Sequence, residues 1–275
     1  MNIVCIGAHP DDAEVFAGGT MVLFARNGHR VLALSLTNGD VGHHEQGGGA
    51  LALRRSEESL AAARIGGYES ITLDNHDGEL MPDLALRKAI TRIIRDYQAD
   101  MVFTHRPNDY HPDHRYAALA VQDAAYMVTV PQFCPDTPAL RNNPAFFHFF
   151  DRFTFPAPFR ADVAVAVDAV MDVKWRLLDV MPSQFYEWLP WLDGKQHEAS
   201  AAFDAGHRLE FLTSYFGSFL EMPGRQCRDA VRAWSGKDAD NVRYVEVFQL
   251  CEYGAQPDDE QLRRLFSLSP TSEGA

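Results

Sequence analysis

Cysteine is scarce and scattered: Cys5, Cys134, Cys227 and Cys251 lie far apart, with no Cys-x-x-Cys pair. That spacing excludes a disulfide scaffold and a thiolate zinc site, and it leaves buried or free thiols. No run of about 18 apolar residues exists, so no membrane span is expected. The N-terminus enters Asn2-Ile3-Val4-Cys5-Ile6-Gly7 without a basic flank or a cleavage-site pattern, and a cytoplasmic location is the expectation. Positive charge is also short, with 25 Lys and Arg against 38 Asp and Glu, a formal net charge of -13. No Lys/Arg run offsets it locally, and such a surface repels phosphate backbones, which removes nucleic acid from the expected partners. There is no internal repeat, and Gly47-Gly48-Gly49 is the one low-complexity stretch. Gly18-Gly19 lacks the Gly-x-Gly-x-x-Gly spacing, and Asp11 and Asp12 would repel a pyrophosphate at the helix start, so no dinucleotide is expected.

What the chain does have is alternation. Short apolar runs at Ile3 to Gly7, Val31 to Thr37, Ser70 to Leu73 and Met101 to Thr104 read as strands. Between them lie amphipathic stretches of helical length at about 14 to 27, 51 to 65 and 84 to 97. In the last, Leu86, Ile90, Ile93, Ile94 and Tyr97 recur at three-and-four spacing. This order predicts an α/β fold, Rossmann-like, with a mostly parallel sheet flanked by helices. After about residue 130 the pattern loosens into a proline-punctuated stretch holding the aromatic cluster Phe146-Phe147-His148-Phe149-Phe150. Val163 to Val167 and Arg243 to Leu250 then read as strands, and Asp168 to Met181 and about 195 to 215 as helices. The expected organisation is one domain over 1–255, with a core over about 1–130, a C-terminal elaboration over about 131–255 and a polar, frayed tail over 256–275.

Two strings carry the chemistry. Ala8-His9-Pro10-Asp11-Asp12 follows the first strand, and His111-Pro112-Asp113-His114 follows the fourth. In a doubly wound sheet these strands are neighbours where strand order reverses, and ligands bind at their carboxyl ends. Catalytic zinc takes three nitrogen or oxygen ligands and keeps a position for water, and His9, Asp12 and His114 form such a set. Iron(II) or another divalent ion suits the same donors. Asp11 is then a spare carboxylate placed to act as general base, His111 is available for an oxyanion or a leaving nitrogen, and Asp113 can orient a histidine. Either string alone also fits a turn with a helix cap.

Gly7-Ala8-His9-Pro10-Asp11-Asp12 with Gly18-Gly19-Thr20 and His111-Pro112-Asp113-His114 resembles the signatures of the PIG-L / LmbE-like zinc deacetylase family. Lesser pieces agree: Thr37-Asn38-Gly39, Arg54-Arg55-Ser56-Glu57, Asp77-Gly78, Lys174 and Ser183-Gln184. The resemblance covers roughly residues 2 to 185. It implies a zinc-dependent hydrolase that removes the acetyl group from an N-acetylglucosamine-type sugar, with His9, Asp12 and His114 as ligands, Asp11 as base and His111 as the electrostatic or acid partner. Arg54 and Asp77 fall where relatives contact sugar hydroxyls, with Arg55 an adjacent rival. Met181 stands where relatives often carry a histidine. The alternatives are an amidase for a larger N-acyl or thiol-conjugate substrate and a binding module with a structural metal.

Two further segments have open readings. His43-His44-Glu45 before the triple glycine is a solvated loop or, over 40–49, an active-site lid, rather than a second metal cluster. The stretch from Phe185 to Trp191 is core, a subunit interface or a pocket wall, and a homo-oligomer is compatible with it.

Overall fold

The computed structural model describes residues 1–268. Strands β1 (Asn2–Gly7), β2 (Arg30–Ser35), β3 (Glu69–Thr72), β4 (Met101–Thr104), β5 (Ala145–Phe149), β6 (Val163–Ala166) and β7 (Val245–Gly254) form one sheet in the order β3-β2-β1-β4-β5-β7-β6. The first five pair in parallel, and β7 runs antiparallel to both β5 and β6. The sheet is therefore mixed, seven-stranded and mostly parallel, and strand order reverses between β1 and β4.

Side chains alternate across a strand, so β1 divides its apolar residues between two cores. Ile3 and Cys5 pack on one face with Ala17, Met21 and Phe24 of helix α1 (Asp12–Arg26) and with α2 (Gly48–Gly66). Val4 and Ile6 pack on the other with Ile90 and Ile94 of α3 (Leu84–Asp96) and Val121 and Ala124 of α4 (Pro112–Met127). Helix α4 lay unread in the sequence although its start is well marked: His111 caps it by accepting from Asp113 N, and Pro112 occupies its first turn. Arg95, fully buried, donates to Val128 O through Nε and to the Met127, Val130, Phe133, Cys134 and Thr137 carbonyls through its terminal nitrogens. It thereby fastens the end of α4 and the proline-rich turn beyond it.

The second half extends the same sheet. The aromatic cluster expected as irregular chain is β5, buried along its length because it lies inside the sheet between β4 and β7. A short 3-10 turn at Asp168–Val170 leads into α5 (Met171–Asp179), and a π-helical turn at Ser183–Trp188 leads into α6 (Leu189–Leu192). The helix expected over 195 to 215 is two, α7 (Gln196–Asp204) and α8 (Arg208–Gln226), followed by α9 (Arg228–Ser235). The stretch expected as a frayed tail contains α10 (Asp259–Leu265). It opens with a reciprocal Asp258/Gln261 capping box, and Phe266 beyond it stacks among Phe103, Phe147 and Phe248. Residues 269–275 of that expected tail lie outside the described residues. Among the described residues, no helix is long and apolar enough to cross a membrane.

Candidate metal centre

Both strings sit at the carboxyl end of the sheet beside the β1/β4 reversal, as the topology requires. The chain leaves β1 through a turn in which the His9 amide donates to Asp12 Oδ2 at 2.8 Å. Gly7 permits the turn, since a Cβ there would stand 2.5 Å from Asp12 Cβ. Asp11 precedes α1 but makes no capping bond, so its carboxylate is free for other work. The cap reading fails for Asp11 and holds for His111.

Asp12 lies at the centre. Its Oδ2 is 3.4 Å from His9 Nδ1 and 3.1 Å from His105 Nε2, and its Oδ1 is 3.5 Å from His114 Nε2. Burial works to raise the Asp12 pKa, but His114, His105 and His9 together outweigh it and hold the carboxylate well below its usual range. His114 Nδ1 faces Asp109 Oδ2 at 3.2 Å. His114 thus stands between two carboxylates, Asp109 at Nδ1 and Asp12 at Nε2, and with His9 and His105 beside Asp12 it adds to a gathering of nitrogen and oxygen donors that suits a cation. His9 Nε2 is buried without an aligned hydrogen bond, 3.2 Å from Asp77 Oδ1 and 3.4 Å from Asp113 Oδ2. Burial opposes charge on His9, yet Asp113, Asp12 and Asp77 together raise its pKa well above the ordinary value.

Among the described residues, three sets of ligand atoms each lie within 4.8 Å: His9 with His111 and His114, Asp12 with His105 and His114, and His9 with Asp77 and Asp113; the expected trio His9, Asp12 and His114 is divided between the first two and is not itself one of the sets. The donors are nitrogen and oxygen only, which fits zinc or another borderline divalent ion. His43 and His44 belong to none of these sets.

The neighbours of this cluster sort the remaining expectations. His111 Nδ1 accepts from Asp113 N at 3.2 Å, so the neutral ring carries its proton on Nε2. Burial, then His9 and His114, lower its pKa and favour that neutral form. Asp113 accepts from Gly78 N at 2.6 Å and Leu80 N at 3.2 Å, which fastens the segment holding Asp77 to α4. Of the two arginines, the buried Arg55 enters the site. Its guanidinium is 3.3 Å from Asp11 Oδ1 and 3.6 Å from Asp77 Oδ2, and it donates to Gly39 O. Gly39, at φ +69°, passes so close that a Cβ would stand 2.5 Å from that guanidinium. Burial raises the Asp11 pKa and Arg55 opposes it, with a net rise.

Arg54 turns the other way along α2, pairing with Glu187 at 2.5 Å and with Glu58 at 3.1 Å. Ser183 Oγ donates to Glu58 at 2.5 Å, and Gln184 reaches Gly42 O at 3.0 Å. Met181 is wholly buried in the apolar core. The loop over 40–49 is half packed: Asp40 accepts from Asp77 N, His43 is buried against Glu187, and Glu45 to Gly49 are exposed. His43, His44, Trp191 and Trp188 form one stacked column, with successive centroids 4.6, 5.2 and 5.3 Å apart, that ties the loop to the C-terminal part.

His105 and Asp109 are the residues that motif reasoning passed over. His105 directly follows β4, the position His9 nearly holds after β1, and its ring stacks on His114 at 4.0 Å. Burial and His114 lower its pKa to about 4, so it is neutral.

Known proteins resemble this chain in sequence and in fold. The diacetylchitobiose deacetylase of Thermococcus kodakarensis is 33% identical over 202 residues, covering 70% of this chain and 74% of the relative. The N,N'-diacetylchitobiose deacetylase structure from Pyrococcus horikoshii superposes with a TM-score of 0.69 at 23% identity, covering 90% of this chain and 83% of that one. The 4-carboxy-2-hydroxymuconate hydratase structure from Pseudomonas putida gives 0.72 at 21% identity, covering 94% and 99%, so the fold is shared beyond deacetylases. Residues 4–125 match the family described as GlcNAc-PI de-N-acetylase. The split motif, its place at the strand reversal and these likenesses together establish that the chain belongs to the PIG-L family.

Proposed function

We propose that the chain is a metal-dependent N-deacetylase, hydrolysing the acetamido group of an N-acetylglucosamine-type sugar or sugar conjugate. The observation that carries this reading is that His9 and His114 stand 3.4 and 3.5 Å from the two oxygens of Asp12, beside the spare carboxylate of Asp11. The names of the relatives support the acetylated-sugar substrate.

His9, Asp12 and His114 hold the metal, zinc or iron(II) by donor type. When bound, it supplies Lewis acidity toward the amide carbonyl and lowers the pKa of water. Asp11 takes the proton of the attacking water, and burial, with Asp12 beside it, raises its pKa and so makes it a stronger base than an ordinary carboxylate. His111, with its proton on Nε2, donates to the oxygen that gains charge in the tetrahedral state or to the departing nitrogen. Asp113 is a positioning residue, holding His9 and the Asp77 segment together. Arg55 and Asp77 bind sugar hydroxyls, while Arg54 works as a clasp to Glu187.

The test is acetate release from N-acetylglucosamine and N,N'-diacetylchitobiose, before and after chelation. Chelated protein is expected to release none, and zinc to restore release and raise the melting temperature together. A protein that takes up metal yet leaves every N-acetylated sugar intact overturns the reading.

A further inference from the structure

Beyond the ligand cluster, a cavity of about 350 Å³ adjoins His105, Asp109 and His114. Of the three proposed ligands His114 alone reaches its wall, and Asp11, Arg55 and Asp77 are not in it. The wall is mostly hydrocarbon, built from Val15, Phe16, Phe149, Phe153, Phe219 and Leu220. The charged groups that reach it are largely matched. Lys174 Nζ meets Glu246 Oε1 at 2.5 Å and Val15 O at 2.8 Å, and Glu246 also accepts from Gly19 N and Thr20 N. Arg106 donates to Asp151 Oδ1 at 2.8 Å. Among the buried side-chain atoms of the described wall, Asp151 Oδ2 alone lacks a partner. Apart from the exposed Tyr110 and Arg152, the buried wall leaves that one acceptor unpaired, too few for the several hydroxyls of a sugar ring, each costly to bury without a partner. Hydrocarbon has no such need.

The site therefore has two unlike sides. Arg55, Asp77 and Asp11 offer charge and hydrogen bonds, and the cavity next to His105 and His114 offers a mostly apolar space far larger than a methyl group. An amide held at the ligand cluster, with its polar amine part toward Arg55 and Asp77, directs its acyl part to the cavity. We propose that this cavity is an acyl pocket, and that the substrate class extends to amino sugars carrying linear apolar N-acyl groups of intermediate length. The inference rests on the amide-hydrolase reading above. The reaction is unchanged in its balance: water oxygen bonds to the carbonyl carbon, the C–N bond breaks, a water proton passes to the amine nitrogen, and the longer carboxylic acid leaves in place of acetate.

The experiment measures kcat/KM for N-acetyl, N-butanoyl, N-hexanoyl and N-octanoyl glucosamine with the metal-restored protein. Beside it run alkyl glycosides of N-acetylglucosamine with chains of matching length. Burial of each methylene is worth at most about fourfold, so kcat/KM is expected to rise from acetyl to hexanoyl. Leu220→Trp, which fills the cavity from α8, is expected to lower the hexanoyl-to-acetyl ratio by about tenfold or more. The wild-type series stands alone if that variant fails to fold. Independently of turnover, calorimetry is expected to show hexanoate binding about tenfold or more tighter than acetate. A steady fall in kcat/KM from acetyl onward, with hexanoate binding no tighter than acetate, overturns the acyl pocket and leaves the deacetylase reading intact. A rise confined to the alkyl glycosides also overturns it, in favour of an aglycone site. Tight hexanoate binding without cleavage of any amide upholds the pocket and overturns the hydrolase reading.

Discussion

Two clusters of buried charge flank the first helix, and they are built on opposite terms. Behind α1, Lys174 and Glu246 close on each other, and their remaining capacity is taken up by Val15 O and the Gly19 and Thr20 amides. In front of it, His9 Nε2 has no aligned partner, Asp12, Asp77 and Asp113 crowd the His9 and His114 rings, and Asp11 lies against Arg55. A fold can bury ionic groups cheaply only when each is paired and hydrogen-bonded. The rear cluster meets that condition and props the helix. The front cluster meets it only in part, because four carboxylates share His9, His114 and Arg55, and this excess of acceptors makes it the candidate place for a cation.

The sharpest way to break this contrast is to change one member of each cluster. Asp11→Asn is expected to lower acetate release by about 10² to 10⁴-fold while metal content, read by atomic absorption, stays at the wild-type level. Glu246→Gln should do the reverse, stranding a buried ammonium at a cost of about 3 to 5 kcal/mol in urea unfolding. Adding Lys174→Met to it should return much of that loss, because a matched apolar pair is tolerated where a lone charge is not.

A smaller effect lies one layer deeper, where His148 Nδ1 donates to His105 O at 2.7 Å. Burial lowers the His148 pKa from 6.5 to about 4. A base with a depressed folded pKa contributes stability that is fully present above its unfolded pKa and is lost as pH falls below it. Unfolding free energy should therefore drop by up to about 3 kcal/mol between pH 6.5 and about 4, and His148→Asn should flatten that slope. The smallest effect separates the adjacent arginines. Arg54→Ala, at a partly exposed ion pair, should cost no more than about 1 kcal/mol of stability, whereas Arg55→Ala should act on the KM for acetylated sugar. A KM change with Arg54→Ala larger than that with Arg55→Ala would reverse the assignment.

Much of this was legible in the chain. The strands of the first half announce themselves as apolar runs because both sheet faces are covered, and the alternation with helices dictates parallel pairing. Given that topology, the two motifs had to meet. Other elements were hidden for definite reasons. Strand β5 reads as a bare aromatic run because its neighbours on both sides are strands distant in sequence, β4 and β7. Helix α4 is faint in the sequence because small residues, Ala117, Ala118, Ala120, Ala124 and Ala125, fill most of its buried face and leave no stripe of large apolar side chains. The terminal helix α10 is polar in sequence and is anchored mainly by Leu262 and Phe266, whose partners lie far upstream.

The sequence by itself determined the fold class, the pairing of His9-Pro10-Asp11-Asp12 with His111-Pro112-Asp113-His114, and the donor chemistry, because these rest on local periodicity and residue type. Only the tertiary structure decided that Arg55 rather than Arg54 faces Asp11 and Asp77, that Asp109 meets His114 and His105 stacks on it, and that a mostly apolar cavity adjoins His105 and His114. The physical reason is that adjacent residues on a helix point about 100° apart. Which one meets the site depends on how α2 is seated against the sheet, a matter of long-range packing that no local signal carries.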